Sequence, residues 1–114
     1  MPEKITKSAL LDRAKNAVAD RGLNYGKPED NFTRIARRWV VHIKNRFNID
    51  VPIDAISVAI MCDDLKSARL ENTPDHLDSW VDKAGYAACG ANIAANEPLS
   101  EAGFAERPPI LDAR

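Results

Sequence analysis

Ile53-Asp54-Ala55-Ile56-Ser57-Val58-Ala59-Ile60-Met61-Cys62-Asp63-Asp64-Leu65-Lys66-Ser67-Ala68-Arg69-Leu70 decides how the rest of the chain is read. The stretch contains no Pro or Gly, and its apolar residues do not alternate as they would in a half-buried strand. Wound as a helix, Ile53, Ile56, Val58, Ala59, Ile60, Met61, Cys62 and Leu65 point in nearly every direction. A helix apolar all round belongs at the centre of a fold, covered by other helices. Pro52 marks its start and Glu71-Asn72-Thr73 its end, which predicts a helix over 53–70.

The flanking segments supply the cover. Phe32, Ile35, Ala36, Trp39, Val40, Ile43 and Phe47 recur at helical spacing after Pro28, predicting an amphipathic helix over 28–47. Upstream, Leu10, Leu11, Ala14, Ala17 and Val18 form one stripe behind a Ser8 cap, and Gly22 ends a first helix over 8–21. Downstream, Thr73 and Pro74 suit the cap and first position of a fourth helix over 74–96. Its Gly85, Ala88, Cys89, Gly90 and Ala91 are small enough for a neighbouring helix to approach closely. Beyond Glu97 the periodicity dissolves among Pro98, Gly103, Pro108 and Pro109. The expectation is an all-α, four-helix bundle-like unit: a helical domain at 1–97 and an irregular C-terminal tail at 98–114.

The 114 residues suffice for one domain with its own core. At 45% apolar and 29% charged, the balance is that of a globular protein, not collagen or low-complexity disorder. The longest apolar run, Ile56 to Cys62, is far too short to span a membrane, and the charged first twenty residues hold no signal-peptide core. Cys62 and Cys89 have neither metal-knuckle nor disulfide-framework spacing, so a reduced, cytoplasmic setting is expected. Net charge is −1, which predicts neither a nucleic-acid nor a membrane partner. Charge is nevertheless segregated. Arg34, Arg37, Arg38, Lys44 and Arg46 crowd 32–47, while Glu71, Asp75, Asp78 and Asp82 crowd 71–82. Solvated faces paired across the fold would account for this.

Chemistry concentrates on the last two helices. Asp75, Asp78 and Asp82 fall within about 60° of one another on the fourth helix's wheel. Dipole stabilisation explains acidic residues in a first turn but covers Asp82 poorly. Asp63 and Asp64 interrupt the apolar third helix, where a carboxylate must be paired, protonated or metal-bound. Two readings fit. Asp63, Asp64, Asp78 and Asp82 form a ligand pool for Mg²⁺, which takes hard oxygen donors and substrate phosphates. Alternatively they form internal salt bridges, such as Asp63 with Lys66 or Asp64 with a cation of the second helix. Lys66, Arg69 and Arg38 are candidates for phosphate oxygens, and Tyr25 and Tyr86 for stacking a base. No Gly-rich phosphate loop, nucleophile elbow or paired His ligand set is present.

Arg21-Gly22-x-x-Tyr25-Gly26-x-Pro28, Asn31-Phe32, Trp39, Lys66-x-x-Arg69 and Asp78-Ser79-x-x-Asp82-x-x-Gly85-Tyr86 resemble a family of small phage and prophage proteins, over about residues 8–95. More distantly, the layout is similar to the MazG-like all-α nucleoside triphosphate pyrophosphohydrolases. That family holds Mg²⁺ with E-x-x-E on one helix and E-x-x-D on the next. Asp82 and Tyr86 match its Asp and the Tyr one turn later, Asp78 stands one place off its Glu, and no E-x-x-E occurs here.

The resemblance implies a Mg²⁺-dependent hydrolase acting on a nucleotide, with Asp82 and Asp78 catalytic. The alternative is a non-catalytic phage accessory protein that binds a nucleotide signal or inhibits a host protein. Either would work in the host cytoplasm. The all-round apolar third helix and the family's habit both imply a homo-oligomer.

Overall fold

A computed structural model describes residues 4–96, and all of their regular structure is helical. The elements are α1 (Lys7–Tyr25), α2 (Pro28–Phe47), α3 (Ala55–Asn72) and α4 (Leu77–Asn96). The expected tail at 98–114 lies outside the described residues.

Local chemistry sets each boundary. Thr6, not Ser8, caps α1, its Oγ1 accepting from the Ala9 N–H at 3.1 Å. The helix runs through Gly22 and stops at Gly26, whose φ of 80° lies in the region open to glycine. The Gly26 N–H then donates to the Gly22 carbonyl. Pro28 opens α2 with Glu29 and Asp30 behind it, as the sequence predicts. Asp54 caps α3 by accepting from the Ser57 N–H at 2.8 Å, which leaves Ile53 outside the helix.

The start of α4 differs from the expectation of residue 74. Thr73–His76 forms a turn, the His76 carbonyl accepts from the Ser79 N–H, and His76 Nδ1 meets Ser79 Oγ at 2.7 Å. That bond satisfies the hydroxyl of Ser79, which is fully buried. Trp80 Nε1 donates back to the Pro74 carbonyl and pins the turn.

α3 and α4 form the central pair; α1 packs mainly on α4 and α2 mainly on α3. The small residues of α4 make this possible. A Cβ on Gly90 would lie 3.0 Å from Ala59 Cβ, and one on Gly85 would lie 3.4 Å from Val18. The core is thin: four of its nine buried apolar residues are Ala14, Ala36, Ala55 and Ala59. The expectation that α3 is covered all round is corrected here. Val58 and Ala59 are buried, but Ile60, on the far side from Val58, is 59% exposed, and Leu65, two turns along from Val58 on nearly the same face, is 55% exposed. Two neighbouring helices cover one half of a cylinder, and the outer half faces outward.

Candidate functional site

A cavity of about 290 Å³ opens where all four helices meet. Three helices line it with the same spacing, i, i+3, i+4, i+7. α1 contributes Val18, Arg21, Gly22 and Tyr25; α2 contributes Pro28, Asn31, Phe32 and Ile35; α4 contributes Asp82, Gly85, Tyr86 and Cys89. One face of each helix is therefore committed to the cavity over two turns. α3 adds Cys62 and Lys66, one turn apart.

Its charges form a linked group. Lys66 Nζ lies 2.9 Å from Asp82 Oδ2, with both side chains nearly buried. Arg21 Nη2 donates to Asp82 Oδ1 and is 41% exposed at the mouth. Burial alone would raise the Asp82 carboxyl, but hydrogen bonds from Arg21 and Lys66 outweigh it and hold the group below the usual carboxylate range. The bond to Asp82 in turn raises the Arg21 guanidinium. Two cations against one carboxylate leave the lining with a net single positive charge.

The apolar wall is aromatic and sulfur-bearing. Phe32 and Tyr86 meet at a ring-centroid distance of 6.2 Å, tilted by 42°. Tyr25 is exposed at the rim. Burial pushes up the Tyr86 phenol and the Cys62 and Cys89 thiols, so all three are neutral near pH 7. Both cysteines are free.

Of the candidates read from the sequence, Lys66, Asp82, Tyr25 and Tyr86 converge on this cavity. The others do not. Asp63 accepts from Lys83 Nζ at 3.0 Å, forming a second α3–α4 bridge with a partner other than the expected Lys66. Asp64 and Asp78 are exposed, and Asp78 sits in the first turn of α4, where the helix dipole favours it. Arg69 lines a separate shallow hollow with Thr73 and His76, and Arg38 lies on the outward side of α2. Neither charged run pairs with the other among the described ion pairs: Lys44 meets Asp50 at 3.2 Å, and Asp82 meets Arg21 and Lys66.

The Mg²⁺ implied by the MazG-like resemblance does not fit the donors present. Each Asp82 oxygen already carries a cation, and among the described residues no three His, Cys, Asp or Glu side chains stand together as a ligand set.

Arg21 and Asn31 stand in the phage-family motifs but not among the candidate site residues, and the two cysteines are in neither. Stopping the first helix at Gly22 hides the i, i+4 relation of Arg21 to Tyr25. The quoted motifs, together with the repeated i, i+3, i+4, i+7 sets on three helices, were the available signal for all but Cys62.

Over the described residues these features define an all-helical domain with a charged and aromatic cavity between its four helices. The chain belongs to the family described as a domain of unknown function, DUF6378, whose pattern matches residues 9–94. It is 33% identical over 86 residues to the Gene 55 protein of Mycobacterium phage D29, covering 75% of this chain. The chain spans 53% of that relative's length. No solved structure matches. The phage resemblance is thus established.

Proposed function

We propose that this is a phage-type nucleotide-binding protein whose ligand occupies the four-helix cavity. One observation carries the reading: a net-positive ion group and an aromatic wall face the same open cavity. An anionic group seated near Arg21 and Lys66 gains charge-assisted hydrogen bonds. A planar base finds Phe32, Tyr25 and Tyr86 within the same lining. The chain's own residues do the binding, with no step assigned to a metal. The role that follows is the non-catalytic one, holding a nucleotide signal in the host cytoplasm. Calorimetric titration with a panel of nucleotides tests this. Saturable binding that Lys66→Met abolishes supports it, and no binding by any nucleotide contradicts it.

Self-association belongs to the same proposal. Ile60, Leu65, Val41 and Phe47 are all more than half exposed, and the thin alanine core gives the lone chain little compensation. A second copy of the chain is the proposed partner that covers these side chains.

A further inference from the structure

Resting on the self-association reading, we infer that a second copy docks across the outer faces of α2 and α3, with Arg34, Arg37 and Arg38 of each copy facing Asp64 and Glu71 of the other. The charge segregation of the sequence supplies the argument. All five side chains are exposed, and among the described residues none of them has an ion-pair partner. After Glu29 and Asp30 in its first turn, α2 carries no carboxylate. Asp64 and Glu71 stand seven residues apart on α3 and so share one of its faces. Ile60, one turn before Asp64 on that face, is exposed as well.

Asn31 and Ile35 of α2 meet Cys62 and Lys66 of α3 in the cavity, so the cationic run of one helix lies within about two turns of the acidic run of the other. Both runs nevertheless sit on outer faces, and no bridge joins them within the chain. A two-fold contact brings them together, because each copy then presents both faces and every pair forms twice. Shape agrees with charge. Beside Arg37, a hollow of about 640 Å³ lies among Val40, Val41, Ile53 and Ala55. It has room for Ile60 or Leu65 of the second copy, the exposed apolar side chains that border the acidic run. Apolar burial supplies the attraction, and the charges fix which faces meet.

The test is sedimentation equilibrium at about 20 mM salt on wild type, Arg37→Glu/Arg38→Glu, Asp64→Lys/Glu71→Lys and an equimolar mixture of the two variants. All four positions are exposed, so each variant should keep the wild-type circular dichroism spectrum. Each variant alone sets like charges face to face and should weaken self-association on the order of a hundredfold; the mixture should restore it. Salt gives a second measure on the unaltered chain, since raising it to about 0.5 M should weaken wild-type association. Association that neither the reversals nor salt changes overturns this inference and leaves the self-association reading standing. Variants that dissociate but do not recombine overturn the pairing in the same way. A wild type of one chain overturns both. If that single chain retains a labelled DNA duplex and Arg37→Glu/Arg38→Glu releases it, the face belongs to nucleic acid instead.

Discussion

Lys66 of α3 and Asp82 of α4 hold each other at 2.9 Å inside the four-helix cavity, and Arg21 of α1 joins them from the mouth. A single carboxylate thereby ties three helices together. The same group gives the cavity its charge, so fold stability and ligand recognition share one set of side chains. Removing the carboxylate separates the two roles. Asp82→Asn leaves a nearly buried ammonium without its partner, which costs 3–5 kcal/mol when both ions are fully buried. Arg21 is well solvated, so the discounted expectation is about 1–3 kcal/mol. Denaturant unfolding of the variant measures it. A change below about 0.5 kcal/mol would show that the bridge contributes nothing.

Acid should act on the same group. The folded-state carboxyl lies below its ordinary value of 3.8, so the folded protein binds the Asp82 proton less readily than the unfolded chain does. Its stabilisation is therefore complete above that ordinary value and is lost as pH falls through the depressed folded-state value. Wild type should lose more stability than Asp82→Asn between pH 5 and pH 2. Parallel stability curves for the two proteins would remove Asp82 from the acid response.

The close approach of α3 and α4 at Gly90 is equally testable. A methyl group there meets Ala59 Cβ at 3.0 Å, and neither partner has a flexible end that can yield. Gly90→Ala gains up to about 1 kcal/mol of helix propensity but forces the helices apart. The net effect should be a loss of about 1–2 kcal/mol in thermal or denaturant unfolding. Gly85→Ala faces the movable Val18 side chain at 3.4 Å and should lose less. A stabilised Gly90→Ala would show that the interface is looser than described.

Two exposed apolar side chains of α3, Ile60 and Leu65, predict assembly. Light scattering should give a mass above the 12.6 kDa of one chain at micromolar concentration. Replacing both Ile60 and Leu65 by Glu should return that mass to one chain without unfolding it, because both side chains are more than half exposed. A wild-type mass of one chain would contradict self-association.

The four helices were legible because apolar spacing and Pro/Gly punctuation agree with the packing. Pro28 opens α2 where the sequence says it should, and Gly90 marks a close contact as its size implies. Elsewhere, position in the chain hid the physics. Gly22 resembles a stop, but the helix continues because Gly26, with positive φ, is the residue that needs to be glycine. Thr73 and Pro74 resemble a cap, but the turn they form is closed by His76 and Ser79. The site was half legible. Tyr25, Lys66, Asp82 and Tyr86 could be picked by chemistry and spacing. Which cation meets which carboxylate depends on how four helices are set against one another, and so the Asp82 pairing with Arg21 and Lys66 was not foreseeable from spacing within any one of them.

Cys62 and Cys89 face the cavity and serve as built-in reporters of its occupancy. Burial raises both thiols, so at pH 7.5 they should react with an aromatic disulfide reagent more slowly than an exposed cysteine, and a ligand in the cavity should slow them further. The measurement is the modification rate of each cysteine, resolved with Cys62→Ser and Cys89→Ser, against increasing nucleoside 5′-monophosphate. A ligand in the cavity makes both rates fall in proportion to 1 + [L]/Kd, with the Kd found by calorimetry. Nucleotide binding that leaves both rates unchanged would place the ligand elsewhere on the protein and contradict the account.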